Sequence, residues 1–500
     1  MSEVFSSLAY GFSVALTTTN LMWATVGSII GTLIGVLPGI GPVSGIAILI
    51  PVIYGMNPAS AMIMLTAMYY GTMYGGSTTS ILVNVPGEAS SVVTTLDGYQ
   101  MARQGRAGPA LAIAAIGSFV AGTLSIVGLM LFAVPLTALA LKFGPAEYFG
   151  LMLLGLSSVT SLAGKSLVKA LLSMVLGLMV ATIGVDLSTG IARYTFDVPQ
   201  LLDGVGFLVV AIGLFAISEV LLAAEEMGGP KRETIPLGRV WLAWKDFAQS
   251  WWAMIRGTVI GFYIGVLPAA GATIASFMSY DVEKRLAKDP STFGKGDIRG
   301  VAAPEAANNA AAVGNMVPLL TLGVPGSSTT AIMLGALMML GVQPGPLMYQ
   351  KNPDVFWGLI ASMYLGNTML LVLNLPLVGV WVKILAIPER ILYPLILGVS
   401  VIGVYGVSNS HTDLLLACGF GLLGYYMRKR DYPLAPAVLG VVLGGLMEQS
   451  LRQALVLSDG SYWILVQRPI SLVLLTLSVV SLASPSLISA VRKVQGEPQF

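Results

Sequence analysis

Two carboxylic acids stand inside apolar sequence: Glu88 in Val-Pro-Gly-Glu-Ala-Ser-Ser and Glu305 in Ala-Pro-Glu-Ala-Ala-Asn-Asn. An ionisable group at bilayer depth is a functional candidate by default. Hydroxyls and amides gather around both. Ser77, Thr78, Thr79 and Asn84 precede Glu88, and Ser90 and Ser91 follow it. Asn308 and Asn309 lie one helical turn after Glu305. A third polar stretch, Ser327, Ser328, Thr329 and Thr330, follows Pro325 and Gly326. These groups suit small anions and monovalent cations. They do not suit covalent or metal chemistry, because one cysteine, Cys418, and one histidine, His411, leave little from which to build a nucleophile–base pair or a metal cluster. No Gly-rich loop ending in Lys-Ser/Thr is present, so ATP is not the energy source.

The proline–glycine breaks explain how such groups reach a ligand. Backbone that leaves helical geometry at membrane depth is tolerated only inside protein or beside water, and each break creates helix ends. N-termini suit a carboxylate; freed carbonyls and C-termini suit a cation. The breaks at Pro86-Gly87 and Pro325-Gly326 are each followed by a hydroxyl-rich turn, whose Ser and Thr either cap the new helix or lend hydroxyls to an anion. Substrate candidates are therefore Ser77, Thr78, Thr79, Asn84, Pro86, Gly87, Ser90, Ser91, Asn308, Asn309, Pro325, Gly326, Ser327, Ser328, Thr329 and Thr330. Cation-coupling candidates are Pro38, Gly39, Gly41, Ser44, Ala269, Gly271 and Thr273, together with Glu305. Glu305 marks a cation or proton site, or else pairs with Arg299. Glu88 falls in the first turn of a helix, where a carboxylate favours the dipole.

The elements that position these residues are membrane helices. Only 10% of the 500 residues are charged and 55% are hydrophobic, with a mean hydropathy of +0.83. A water-soluble fold could not cover its surface with so little polar side chain. Clean spans are expected at 110–135, 147–163, 168–186, 204–224, 355–382, 391–407, 412–427, 433–449 and 469–490. Residues 20–86 and 250–342, interrupted by Gly, Pro, Ser, Thr and Asn, read as short or broken helices or re-entrant hairpins. The total is about 11–13 membrane segments in an all-α polytopic protein. Residues 228–248, with Trp241 and Trp244, read as an interfacial amphipathic helix. Lys and Arg are absent before Arg103, and Arg492 and Lys493 stand near the other end of the chain. The N-terminus is thus expected outside and the C-terminus in the cytoplasm.

An internal repeat organises the chain. Residues 27–41, GSIIGTLIGVLPGIG, match residues 257–271, GTVIGFYIGVLPAAG, at nine of fifteen positions. The offset there is 230, whereas Val85-Pro86-Gly87 matches Val324-Pro325-Gly326 at 239. Nine extra residues therefore lie between the motifs of the second copy, and the charged stretch 281–299 has room for them. The basic residues flank the two copies on opposite ends, as inverted-topology repeats require. The expected organisation is a first inverted repeat over 1–225 (broken region 20–90, scaffold 110–224), a basic cytoplasmic linker over 226–256, and a second inverted repeat over 257–490 (broken region 257–342, scaffold 355–490).

The chain resembles the large membrane subunit of the tripartite tricarboxylate transporter family. The likeness is carried by Gly35-Val-Leu-Pro-Gly-Ile-Gly-Pro42, Tyr69-Tyr-Gly-Thr-Met-Tyr-Gly-Gly-Ser-Thr-Thr-Ser80, Asn84-Val-Pro-Gly-Glu88, Asp97-Gly-Tyr-Gln-Met-Ala-Arg-Gln-Gly-Arg-Ala-Gly-Pro109, Ala303-Pro-Glu-Ala-Ala-Asn-Asn-Ala310 and Leu322-Gly-Val-Pro-Gly-Ser327. It runs from about residue 10 to about 490. The resemblance implies a secondary transporter of the bacterial inner membrane. It implies import of citrate-like di- and tricarboxylates on a sodium or proton gradient, with no other cofactor. The implied partners are a small membrane subunit and a periplasmic solute-binding protein. The rival reading is a stand-alone carboxylate symporter or channel without partner subunits.

Overall fold

The computed structural model describes residues 2–37, 41–140, 142–157, 159, 166–186, 189–226, 237–267, 271–384 and 389–495. Its helices in chain order begin with α1 Ser2–Ala15, α2 Thr18–Val36, α3 Gly41–Ile53, α4 Pro58–Val83, α5 Val92–Met101, α6 Ala107–Ala140, α7 Pro145–Ser157 and α8 Leu167–Ala181. After these come α9 Phe207–Ala211, α10 Ser218–Glu226, α11 Trp244–Val266, α12 Gly271–Leu286, α13 Arg299–Gly314, α14 Met316–Leu322, α15 Ser328–Met339 and α16 Met348–Lys351. The last are α17 Pro353–Asn374, α18 Val378–Ile384, α19 Glu389–Ser408, α20 His411–Lys429, α21 Ala435–Leu457, α22 Ile464–Gln467 and α23 Pro469–Gln495. The one sheet among the described residues is a two-stranded antiparallel hairpin, Gly184–Val185 with Ala192–Arg193. The fold is all-α. Among the described residues four stretches are long and apolar enough to cross a membrane: Thr18–Val36, Ala89–Ala133, Phe207–Glu225 and Pro353–Asn374. Shorter apolar helices accompany them, among them Gly41–Ile53 and Ser328–Met339.

The chain divides into two compact units. The first comprises residues 1–138 and 208–425, and both Gly-Val-Leu-Pro copies belong to it. Its centre is α4, a 26-residue helix buried from Ala59 to Leu82. The sequence reading expected broken helices here, and α4 is unbroken. Its glycines serve close approach instead. A methyl group added to Gly31 of α2 would lie 2.2 Å from the Met68 carbonyl oxygen of α4. Gly27 and Gly35 meet Met64 and Thr72 in the same way, one turn before and after. Without side chains at those positions the backbones touch, and dispersion between them replaces the packing of knobs.

The second copy repeats the device. Gly257, Gly261 and Gly265 of α11 face the carbonyls of Ala303, Ala307 and Ala311 of α13, and a methyl on Gly261 would come within 2.3 Å of Ala307 oxygen. From Gly27 to Gly257 is 230 residues and from Met64 to Ala303 is 239, so the slip seen in the sequence reappears in the packing. Both copies end their glycine helix in a like manner. The Leu37 amide bonds back to Ile34 and the Leu267 amide to Ile264. The next helix then starts on a glycine with positive φ, Gly41 (61°) or Gly271 (66°). There L side chains are strained and glycine is not.

The second unit comprises residues 139–207 and 426–500. Gly177 of α8 packs against the Ala437 backbone of α21. The expected span 168–186 ends as a helix at Ala181 and passes into the hairpin. Arg193 on that hairpin binds Glu448 at 2.9 Å and Asp186 at 3.1 Å, and Arg452 joins both acids. Two other expectations from the sequence change. The expected span 355–382 is interrupted between Asn374 and Val378, where Pro376 cannot continue the helix ladder. Residues 237–243 are not helical, and Trp244 opens α11. Residues 227–236 of the basic linker, and Lys165, lie outside the described residues.

Candidate functional site

Each Pro-Gly turn is a helix stop followed by a helix start. In the first copy α4 stops at Asn84, which takes the left-handed conformation (φ 57°), and in the second α14 stops at Gly323 (φ 70°). The amides of Val85 and Val324 then bond back to Thr79 and Pro318. A capping box restarts the chain. In the second copy Ser327 and Thr330 exchange side-chain-to-amide bonds, at 2.8 Å to the Ser327 amide and 3.3 Å to the Thr330 amide. In the first copy Glu88 and Ser91 hold the same places, 239 residues earlier. The Ser90 amide donates to Glu88 Oε2 at 3.0 Å. Gly87 and Gly326 press onto Gly76 and Asn315, again 239 apart.

Polar side chains from the two copies meet behind these turns. Glu305 of α13 is 1% exposed. Its Oε2 accepts a 2.5 Å bond from Ser77 of α4, and its Oε1 accepts one from Thr94 of α5. Arg299 is not its partner: that guanidinium binds Asp297 at 2.6 Å. Asn308, one turn along α13, donates to Glu88 Oε1 at 3.0 Å and accepts from Ser90 at 2.7 Å. Asn309 donates to Ser118 of α6 at 2.7 Å. Asn315 donates to the Tyr69 hydroxyl at 3.2 Å, and its own buried oxygen has no protein donor. Tyr74 donates to Asn367 of α17 at 2.6 Å. One connected polar region thus joins α4, α5, α13 and α17 through contacts of more than 200 residues' separation.

The candidate residues divide by what their side chains do. Glu88, Ser90, Asn308, Glu305 and Ser77 are brought together. Ser91 and Thr330 spend their hydroxyls on capping, as Ser327 does with Thr330. Thr79 bonds to the Gly76 carbonyl within its own helix, and Thr78 is buried beside it. Pro86, Pro325, Gly87 and Gly326 form the turns, and Asn84 caps α4. Ser328 is half-buried and Thr329 buried in the first turn of α15. The amides of that turn have no acceptor inside their own helix. Among the cation candidates Ser44 is buried in α3, and Gly41, Gly271 and Thr273 open α3 and α12. Pro38, Gly39 and Ala269 lie outside the described residues.

Three contributors were not singled out from the sequence. Thr94 and Tyr69 are two: the polar neighbours of Thr94 gave its signal, and Tyr69 opens one of the stretches that carry the family resemblance. The third is Asp97, fully buried on α5. Its carboxylate accepts the amides of Gly294 (3.0 Å), Gly296 (2.8 Å) and Asp297 (2.8 Å), and the Tyr280 hydroxyl (2.8 Å). It thereby holds the segment between α12 and α13. Asp297 locks the segment from inside. Burial alone would raise its carboxyl, but the Arg299 guanidinium and the Thr292 hydroxyl outweigh burial and hold it below the usual carboxylate range. Beside this segment lies a polar cavity of about 350 Å³, where Arg106 and Asp246 pair at 3.0 Å next to Lys295 and Gln249. It is not lined by either Pro-Gly turn.

Comparison with known proteins meets this geometry at the level of family. Residues 21–439 match the model of the tripartite tricarboxylate transporter TctA family. A protein of Agrobacterium vitis, described as an uncharacterized 52.8 kDa protein in the TAR-I ttuC' 3' region, is 45% identical over 479 residues, 96% of this chain and 95% of its own length. A second from the same organism, an uncharacterized protein in the TAR-II ttuC' 3' region, is 47% identical over 220 residues, 44% of this chain and 91% of its own. No solved structure matches the chain. The family match spans both Pro-Gly turns and every polar contact between the two copies, and on that ground the chain belongs to the tripartite tricarboxylate transporter TctA family.

Proposed function

We propose that this chain is the ion-coupled, substrate-translocating subunit of a tripartite secondary transporter in the bacterial inner membrane. It imports citrate-like di- or tricarboxylates delivered by a periplasmic binding protein and works beside a small membrane subunit. The observation that carries this reading is the meeting of both copies in one buried polar region, directly behind two capped Pro-Gly turns. Paired broken helices at matching places in two repeats are where secondary transporters bind their substrates. In this reading the copies run in opposite directions across the membrane. The α15 N-terminus, with Ser328 and Thr329, takes a substrate carboxylate. The coupling ion is sodium or a proton. Sodium suits the uncharged oxygens near Gly41, Ser44, Gly271 and Thr273, and a proton suits the buried carboxyls.

Reconstitution in proteoliposomes with the small subunit and the cognate binding protein tests the reading. Citrate uptake should depend on the binding protein and on an imposed sodium or pH gradient, each varied alone. Uptake that needs neither partner would support a stand-alone symporter or channel instead. No uptake of any di- or tricarboxylate would overturn the proposal.

A further inference from the structure

Glu88, Ser90 and Asn308 form a closed ring. Glu88 Oε2 contacts Ser90 Oγ, Ser90 Oγ contacts the Asn308 amide at 2.7 Å, and that amide contacts Glu88 Oε1 at 3.0 Å. Each of the three contacts needs one proton between its two heavy atoms. Ser90 carries one. The Asn308 amide turns one nitrogen and one oxygen into the ring and so supplies one, whichever way round it lies. The third proton has only the Glu88 carboxyl left to sit on. With Glu88 ionised, one contact would set two lone pairs against each other in a buried place. Surroundings agree with the count. No Lys, Arg or His bonds to Glu88 among the described residues. Facing it are Tyr69 on α4 and the acid Glu305 on α13; Tyr74 on α4 faces Glu305 and bonds to Asn367. α5 brings Asp97, which is bonded to Tyr280 of α12. α12 also brings Glu283, paired with Arg256, and the exposed Asp281 and Arg285, paired with each other. Glu305 differs: its two contacts are each served by a hydroxyl proton, from Ser77 and Thr94, so its ring-free site needs no proton of its own.

From this count we infer that Glu88 carries the transported proton, and that its protonated form is the state which admits the substrate anion. The inference rests on the transporter reading and names its coupling group. In the second copy the equivalent residue is the neutral Ser327, so a protonated Glu88 makes the two turns alike in charge. Losing that proton would place a negative charge beside the anion site and oppose substrate binding. Proton and carboxylate then bind with positive, reciprocal coupling. On the inward side the order reverses: substrate leaves, then the proton.

Infrared spectroscopy of the full chain in lipid nanodiscs tests this without transport. At neutral pH the carbonyl stretch of a protonated carboxylic acid should be present, lost in Glu88→Gln and kept in Glu305→Gln. Ser90→Ala removes the acceptor of that proton and should shift the band, which serves as the test if Glu88→Gln does not fold. A missing band in the wild-type chain, a band surviving Glu88→Gln, or a band unmoved in Ser90→Ala overturns the inference. In the reconstituted complex, pH-gradient-driven citrate accumulation relative to citrate exchange should fall about tenfold or more in Glu88→Gln. A ratio equal to wild type overturns the coupling role. Absence of citrate transport by the wild-type complex would count against the functional proposal, and the infrared result would still decide the protonation of Glu88.

Discussion

The two Pro-Gly turns share backbone geometry and differ in one chemical respect. The first is capped by Glu88 and the second by Ser327. The same comparison extends outward at the same offset: Asp97 of the first copy corresponds to Ala336 of the second, and Glu305 of the second corresponds to Thr66 of the first. Both turns use one helix-stop, helix-start device. The acids are unequally distributed: the first copy holds Glu88 and Asp97 and the second Glu305, each without its double. A symmetric pair of turns would bind two like charges equally. The observed pair offers a neutral cap on one side and a titratable one on the other.

The largest effect should come from Asp97, which has no counterpart. Asp97→Ala strands three amides and the Tyr280 hydroxyl at a buried place, at roughly 1–3 kcal/mol for each donor that water does not reach. Expression should collapse, or trypsin should cut at Lys288 and Lys295 in the folded protein. Ala336→Asp would instead bury a new charge and should also fail. An Asp97→Ala variant as protease-resistant as wild type would show that the segment before α13 is held by something else.

The glycine seams sharpen the comparison at the next level. Gly31→Ala and Gly261→Ala meet carbonyl oxygens at nearly the same distance, 2.2 and 2.3 Å. Each should cost about 1–3 kcal/mol, because backbone must move to admit the methyl. Thermal unfolding in detergent should lower both by similar amounts. A large loss in one and none in the other would mean that the copies are alike in sequence but not in rigidity.

Hydroxyl deletions come third. Ser328→Ala, at the neutral turn, and Ser90→Ala, in the ring, should each slow citrate uptake about two- to tenfold through the loss of one hydroxyl. Their signatures should differ: Ser328→Ala should raise the substrate concentration needed, and Ser90→Ala should change the pH profile. Identical profiles would erase the proposed division between the turns.

The smallest effect concerns acid. Asp297 is held below the usual range, so its contribution is present above the ordinary aspartate value of about 3.9 and is lost as pH falls through its lower native value. Amide hydrogen exchange across residues 290–298, corrected for intrinsic rates, should quicken only in strong acid. Quickening at mild pH would place the weak point elsewhere.

Much of this contrast was legible in the sequence, and the part that was not has a physical reason. The shift from 230 to 239 between paired motifs recurs in the helix contacts, because glycine spacing and Pro-Gly turns are local. Glycine was also misleading. Residues 20–86 read as short or broken helices, yet α4 runs unbroken through Gly71, Gly75 and Gly76, since a helix whose neighbour's backbone lies against it gains from having no side chain there. The ring of Glu88, Ser90 and Asn308 and the grip of Asp97 were invisible for a different reason. Their partners lie some 200 residues away, and no period or spacing encodes a pairing of that range. The two acids that hold Arg193 are likewise distant or unmarked in the sequence: Asp186 lies across the hairpin and Glu448 some 255 residues on.

The grip of Asp97 also ties one half of the chain to the other. The acid sits on the first copy, and what it holds is the segment between α12 and α13, which includes the residues the second copy has in excess. Neither half of that contact has value alone: the acid without the insertion is an unpaired buried charge, and the insertion without the acid is a loose loop. The contact therefore makes the two halves of the chain unequal parts: neither could stand in for the other, because each carries only one side of it.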